Sequence, residues 1–314
     1  MEKYLLPFSK ISKKDAHLAG GKGASLGEMT QAGISVPPGF VILAEAFDRF
    51  LHETDLEVDI EAQLKLVKYN EVSTVERASR VIRNIISKAK MPKDLEKLIL
   101  TEFGKLKVKL VAVRSSATAE DGSTASWAGE LETYLNTNEK TLLKHVKDCW
   151  SSLFTPRAIF YRHEKKMHKA KVSVAVVVQV MVQSEIAGIA FTVHPVTKDR
   201  NQMIIEAGWG LGEAVVSGQI TPDSYVIDKK KFSLLDINVA EQKKYIAGKK
   251  AGGNEWKKVL SMNIGKQKLS GKQIVELAKI CFNIEKHYKF PCDIEWAYIR
   301  GKYYITQSRP ITTL

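Results

Sequence analysis

The stretch at residues 111–136 contains residue types that suit phosphate binding. Arg114, Ser115 and Ser116 follow a short apolar run, and residues 122–129 form a loop rich in glycine and serine. An arginine supplies a charged, forked donor for phosphoryl oxygens, hydroxyls add neutral donors, and glycines let backbone amides approach a ligand closely. A flexible hairpin loop without a ligand has the same composition, so this stretch alone leaves both interpretations open.

Lys22 is a second candidate for binding an anion. It lies in the run GGKGASLGEM at residues 20–29, where Leu26 and Met29 predict a short helix that ends near Gly33. At the start of this helix, the backbone amides and the helix dipole would favour an anion beside the lysine. The nucleotide P-loop pattern G-x-x-x-x-G-K-[ST] is missing, and a glycine turn before a packed helix remains the alternative.

The C-terminal segment at residues 293–310, DIEWAYIRGKYYITQSRP, predicts a β-hairpin that turns at residues 300–301. Side chains alternate along a strand, so a two-residue turn would send Glu295 and Gln307 to opposite faces. A turn with an odd number of residues, or a bulge in one strand, would place both on the same face. We predict one of these two arrangements.

On such a shared face, Asp293 and Arg309 would lie beside Glu295 and Gln307, while Ile294 would point toward the core. A carboxylate and an amide oxygen are hard ligands that suit Mg²⁺, and a neighbouring arginine can hold phosphates. An ordinary amphipathic hairpin is the alternative interpretation.

Three apolar runs predict the strands that position these residues. Residues 108–113 and 131–135 flank the Arg114 loop, and the β-branched run at residues 172–182 predicts a strand buried on both faces. The end of that last strand, at Val180 and Val182, would be able to present backbone groups to a flat ligand such as adenine. Packing alone also explains the run.

Helical periodicity predicts the scaffold around these strands. It covers most of residues 44–106 and 139–167, and it returns after residue 270. S-x-x-E at residues 73–76 and S-x-x-Q at residues 270–273 have the spacing of capping boxes at helix starts.

The glycine-rich run GWGLGEAVVSG at residues 208–218 follows an apolar run that predicts a strand. Its glycines permit close approach of the backbone, but G-x-G-x-G differs from the dinucleotide pattern G-x-G-x-x-G. We therefore exclude a Rossmann fold.

Composition predicts a globular protein that binds anions. The chain has 314 residues, 44% of them hydrophobic, and a formal net charge of +13. No nucleic-acid motif accompanies this charge and no apolar run approaches the length of a membrane span, so we expect neither a nucleic acid nor a membrane as partner. Three cysteines without C-x-x-C spacing favour the reducing cytoplasm.

Taken together and in order, these stretches resemble the N-terminal ATP-binding domain of the phosphoenolpyruvate synthase and pyruvate phosphate dikinase family, to which rifampin phosphotransferase is also similar. The resemblance covers nearly the whole chain. Its strongest parts are GGKGASLGEM with VPPGFVI, VAVRSSATAED with SWAGELETYLN, GWGLGEAVVSG with TPDSYVI, and DIEWA with QSRP. The resemblance implies an α+β chain with an ATP-grasp fold, in which residues 1–314 form two lobes that close on a nucleotide cleft.

The resemblance also implies cofactors, ATP and Mg²⁺, and roles for individual residues. Lys22 and Arg114 would bind phosphates, Arg309 would contact the transferred phosphoryl group, and Glu295 and Gln307 would hold the metal. The residues implied to contact the nucleotide are Lys22, Arg114, Ser126, Ala128, Gly129, Thr133, Val180, Val182, Glu213 and Gln307.

The phosphoryl acceptor implied by the resemblance is a histidine on a swivelling domain. The family pattern for that histidine, T-x-G-G-x-x-S-H, does not occur in this sequence. We therefore expect the phosphohistidine and phosphoenolpyruvate-binding domains to be absent from residues 1–314, and the acceptor to lie in another chain or a missing segment. An antibiotic kinase similar to rifampin phosphotransferase and an ATP sensor that only binds remain alternatives.

Overall fold

The computed structural model describes residues 3–118, 131–166 and 173–312. Helices and strands are mixed along the chain, which confirms the predicted α+β class. The chain divides into two compact units, one formed by Met1–Gln31 and Pro38–Met181, the other by Ala32–Pro37 and Val182–Leu314. Among the described residues, no helix is long and apolar enough to cross a membrane.

The first unit contains a five-stranded antiparallel sheet. Its strands are β1 (Leu5–Pro7), β2 (Gly39–Ile42), β3 (Val111–Ala117), β4 (Thr133–Thr137) and β5 (Val174–Val180). The order is β1-β2-β5-β3-β4, so β5 is central. Residues 174–178 are fully buried, as expected for a β-branched strand covered on both faces.

Helices cover both faces of this sheet. They are α1 (Ala16–Gln31), α2 (Ala44–Glu53), α3 (Leu56–Lys65), α4 (Val72–Lys88), α5 (Lys93–Lys105), α6 (Glu139–Ser151) and α7 (Pro156–Glu164). Side chains of α2 to α7 share one core with Phe40 and Ile42 of β2. The helix α1 lies on the opposite face, so close to the sheet that a Cβ added at Gly23 would lie 3.1 Å from a methyl carbon of Val41.

The predicted capping box at residues 73–76 is wrong. The helix α4 begins at Val72, and its N-cap residue Glu71 makes no side-chain capping bond. The hydroxyl of Thr74 bonds instead with the backbone of Lys68 and Glu71, in a helix that starts earlier than the S-x-x-E spacing indicates.

The second unit is built on a six-stranded sheet. Its strands are β6 (Ile186–Phe191), β7 (Gln202–Trp209), β8 (Asp223–Asp228), β9 (Ser233–Asn238), β12 (Cys292–Ile299) and β13 (Lys302–Pro310). They are ordered β13-β12-β6-β7-β8-β9. The strands β10 (Lys244–Gly248) and β11 (Asn254–Lys258) form a separate hairpin.

The helix α9 (Gly271–Tyr288) covers one face of the six-stranded sheet. Its N-cap Ser270 forms a capping box with Gln273, as predicted. The carbonyl of Gln273 accepts a hydrogen bond from the hydroxyl of Tyr303 (3.0 Å), and Ile294 and Trp296 are buried beneath this helix layer. The opposite face carries the predicted metal ligands.

Candidate functional site

Lys22 lies at the start of a helical segment, as predicted. The helix α1 is kinked at Gly20, whose backbone angles (φ 67°, ψ 171°) are not helical, so Lys22 falls in the first turn after the kink. The kink packs directly on β3, because the amide of Gly23 donates to the hydroxyl of Ser116 at 3.2 Å. The segment carrying Lys22 is thereby joined to the strand that carries Arg114.

Arg114 shares a face of the sheet with this helix. It pairs with Val177 of β5 on one side and with Thr133 of β4 on the other, and Val177 pairs in turn with Val41. Directly opposed residues of antiparallel strands project to the same side. Arg114 and Thr133 therefore lie on the face of the sheet that is covered by α1, the helix to which Lys22 belongs.

The hydroxyls of Ser115 and Ser116, expected to donate to phosphate, serve the fold instead. Ser115 points to the opposite face, where its Oγ lies 2.9 Å from both the carbonyl of Glu132 and the Oγ of Ser152. Ser116 is fully buried and accepts the amide of Gly23. Alternation along β3 leaves Arg114 as the half-buried polar side chain of this stretch.

Other predicted nucleotide contacts have different outcomes. Ser126, Ala128 and Gly129 lie outside the described residues. The amide of Val180 donates to the carbonyl of Pro38 (2.8 Å), so an adenine contact at this position would need another backbone group. Val182 is the residue at which the chain enters the second unit.

The C-terminal hairpin has the predicted shared face, and a bulge produces it. Arg300 and Gly301 form a two-residue turn with positive φ at both positions (49° and 77°), typical of a type I′ turn. That turn alone would separate Glu295 from Gln307. Between Trp296 and Glu295, however, the register shifts by one residue, because β13 contains an extra residue at this point. Trp296 pairs with Ile305, whereas Glu295 pairs directly with Gln307.

Asp293 and Arg309 form the next pair on the same face. The Nε and Nη2 atoms of Arg309 donate to one carboxylate oxygen of Asp293 at 2.9 and 2.7 Å. Burial raises the pKa of Asp293, Arg309 opposes this rise, and the nearby carboxylate of Glu295 adds to it. The arginine is thus held beside the predicted metal ligands.

Glu206 of β7 belongs to the same row. Ile189 of β6 pairs with Glu295 on one side and with Glu206 on the other, which places all three side chains on one face. Burial, and after it the charge of Asp293, raise the pKa of Glu206. No sequence motif indicates Glu206, because only the pairing of β7 and β12 with the strand β6 between them brings it into the row of Glu295.

Glu213 lies near this row but not in it. It is the first residue of α8 (Glu213–Val216), it is exposed, and its carboxylate accepts a hydrogen bond from Asn254 of β11 at 2.5 Å. The preceding Gly212 packs over Ala187, where an added Cβ would lie 3.5 Å away. Ala187 is two residues along β6 from Ile189, a separation of about 7 Å.

Comparison with known proteins identifies the family. The family described as "Pyruvate phosphate dikinase, AMP/ATP-binding domain" matches residues 16–314. The chain belongs to this family. ATP, the predicted nucleotide, is therefore confirmed at the level of the family.

Similar proteins of this family are much longer than the chain. It is 46% identical to a probable phosphoenolpyruvate synthase of Methanocaldococcus jannaschii, over 99% of the chain and 27% of that protein. It is 44% identical to a probable phosphoenolpyruvate synthase of Methanothermobacter thermautotrophicus, over 100% of the chain and 47% of that protein. It is 39% identical to rifampicin phosphotransferase of Bacillus subtilis, over 100% of the chain and 36% of that protein.

Gln179 is a further polar group on the Arg114 face of this AMP/ATP-binding domain. It lies on β5, two residues from Val177, and is only 1% exposed. Its Nε2 atom has no hydrogen-bond partner among the described residues. A buried donor without a hydrogen-bond partner lowers the stability of the fold, so its presence favours a ligand atom near Nε2 of Gln179. In the sequence, the signal is a lone amide within the apolar run VAVVVQV.

Proposed function

We propose that this chain is the Mg-ATP-binding module of a phosphoenolpyruvate synthase-like dikinase. It donates a phosphoryl group from ATP to a histidine on a separate domain or chain. The observation that supports this most strongly is the direct pairing of Glu295 with Gln307, flanked by the Asp293–Arg309 ion pair. One face of one hairpin thus combines oxygen ligands with a cation for phosphate.

The chemistry of this pair suits a magnesium ion that arrives with the nucleotide. In the part of the chain that the structure describes, no three His, Cys, Asp or Glu side chains are grouped as metal ligands. Mg²⁺ commonly binds through one or two protein oxygens, with phosphate oxygens and water completing the shell. When bound, it would neutralise charge on the phosphates. Glu295 and Gln307 would supply the protein oxygens.

We further propose an ATP-grasp arrangement, in which the two units are lobes that bind one nucleotide in a cleft. Lys22 and Arg114 of the first unit bind phosphates, with Thr133 and Gln179 beside them. Arg309 of the second unit contacts the transferred phosphoryl group, and Asp293 orients it.

In the transfer step, a phosphorus–oxygen bond of ATP breaks and a bond forms between phosphorus and an imidazole nitrogen of the acceptor. The departing phosphate oxygen takes the electron pair. The cations bound around it stabilise this charge, and holding the reactants in line supplies much of the rest of the catalysis.

Transfer of label to histidine tests the proposal. The chain is mixed with radiolabelled ATP, Mg²⁺ and a separately produced phosphohistidine domain, taken in one arm from a phosphoenolpyruvate synthase and in another from a rifampicin phosphotransferase. We expect acid-labile label on the first domain, and none when its histidine is replaced by alanine or when EDTA removes the metal. Preference for the second domain would support the antibiotic kinase. ATP binding without label on either would support a sensor.

Alanine at Lys22 or at Arg114 is expected to weaken Mg-ATP binding by about tenfold or more, since each removes a charged hydrogen-bond donor to phosphate. Calorimetric titration measures this change. Thermal unfolding should stay close to wild type, because both side chains are half-buried and outside the core cluster. The exposed Lys97 and Arg77 of the same unit provide matched alanine controls. Wild-type affinity in a folded Lys22 or Arg114 variant would contradict the assignment.

A further inference from the structure

We infer that Glu132 is a positioning residue for Arg114, which is proposed to bind phosphate, and for its neighbour Thr133, which is proposed to contact the nucleotide. The inference rests on the proposed function, because it concerns how these two side chains are held for the nucleotide. Glu132 immediately precedes Thr133 in the chain, and its own side chain lies outside the proposed binding set.

The backbone of Glu132 fixes β4 against β3 at the level of Arg114. Its carbonyl accepts hydrogen bonds from the amide (3.1 Å) and the hydroxyl (2.9 Å) of Ser115, the residue that follows Arg114. Neighbouring residues of a strand point to opposite faces. Ser115 and Glu132 point to the face opposite α1, whereas Arg114 and Thr133 point to the α1 face. The contact between Ser115 and Glu132 therefore sets the position of Arg114 and Thr133.

The side chain of Glu132 ties this pairing to the helical scaffold. Both carboxylate oxygens accept from Nη2 of Arg83 on α4, at 2.7 and 2.8 Å, and the hydroxyl of Tyr134 donates to the same carboxylate. The hydroxyl of Ser115 also lies 2.9 Å from that of Ser152. The beginning of β4 is thus held directly from α4, and through Ser115 of β3 it is also tied to Ser152, the residue that follows α6.

The position of these contacts predicts an effect on ligand affinity more than on stability. The side chains of Arg83 and Glu132 are 32% and 30% exposed, and ion pairs with that much solvent contribute little to folding. A small displacement of Arg114 would nevertheless weaken ligand binding, since charged hydrogen bonds to phosphate depend on geometry. Glu132 therefore acts through Arg114 and Thr133.

Glu132→Gln and Arg83→Met test this role in the full 314-residue chain. Glutamine keeps the shape of the side chain and removes its charge. We expect each variant to bind Mg-ATP about tenfold more weakly than the wild-type chain. Calorimetric titration, carried out well below the unfolding temperature of each variant, measures this affinity. The double variant should be no weaker than the weaker single one, because both remove the same contact.

The matched control is the ion pair between Arg49 and Asp94, which joins α2 to α5 in the same unit. Its two hydrogen bonds measure 2.7 and 2.9 Å. Arg49→Met and Asp94→Asn should change thermal unfolding to a similar small extent and leave Mg-ATP affinity unchanged. Loss of affinity in these controls would reduce the role of Glu132 to general stability and overturn the inference.

The decisive measurement repeats Glu132→Gln in a background in which both Arg114 and Thr133 are replaced by alanine. If Glu132 acts through these two residues, the added loss of affinity should fall below about twofold. Wild-type affinity for Glu132→Gln alone, or an undiminished loss in this background, would overturn the inference while leaving the proposed function intact. Absence of Mg-ATP binding by the wild-type chain would overturn both.

Discussion

Replacing Glu295 with glutamine is expected to reduce magnesium-dependent phosphoryl transfer from ATP by about 100-fold or more. Glutamine preserves the shape of the side chain and its place opposite Gln307, but it removes the negative charge that a hard divalent cation prefers. Because Glu295 lies on the face opposite the α9 core, the unfolding temperature should remain within about 2 °C of wild type.

Magnesium titration at fixed ATP separates a metal role from a structural one. For Glu295→Gln, the magnesium concentration that gives half-maximal transfer should rise, and excess Mg²⁺ should recover part of the activity. Glu276→Gln is the matched control, since Glu276 is an exposed carboxylate on α9. An unchanged magnesium dependence in a folded Glu295→Gln variant would remove this residue from the proposed metal site.

Alanine at Gly20 is expected to destabilise the first unit by about 3 kcal/mol and to weaken Mg-ATP binding strongly. The backbone angles of Gly20 (φ 67°, ψ 171°) lie in a region that is essentially restricted to glycine. An added Cβ would also lie 2.4 Å from the carbonyl oxygen of Ser116, so helix and strand must separate. That movement would displace Lys22 from the strand that carries Arg114.

Gly33→Ala isolates the backbone part of this effect. Gly33 also has a positive φ (74°), but an added Cβ would meet no atom within 4 Å. We expect a cost of about 1 kcal/mol in urea unfolding and no loss of Mg-ATP affinity. Equal effects of the two substitutions would show that close packing of Gly20 on Ser116 is not what holds Lys22 in place.

Features governed by neighbours in the chain were predictable from sequence. The β-branched run became the buried central strand β5, and the Ser270–Gln273 capping box begins α9, because both depend on alternation or spacing within a few residues. The prediction at residues 73–76 failed because the helix α4 already begins at Val72. The hydroxyl of Thr74 bonds to the backbone of Lys68, a residue outside the S-x-x-E motif.

The hairpin shows where local pattern stops being sufficient. Alternation limited the metal hypothesis to an odd turn or a bulge, and the structure has a two-residue turn with a bulge. The other side of β12 pairs without interruption with β6, where Glu295 lies opposite Ile189. The irregularity therefore lies in the contact with the edge strand β13, which the spacing of residues within the hairpin does not specify.

The sequence by itself determined the family, the strands and helices that carry the motifs, and the residue types available for phosphate and metal. Tertiary structure alone decided that Ser115 turns away from the face that Arg114 shares with α1, and that Glu206 joins the row of Glu295. It also decided that Gln179 is buried, with no hydrogen-bond partner for its Nε2 atom among the residues that the structure describes. Those outcomes depend on which strands become neighbours and on the register between them. Strand pairing of this kind joins residues that are far apart in the chain, so it cannot be predicted from the spacing of residues within a short segment.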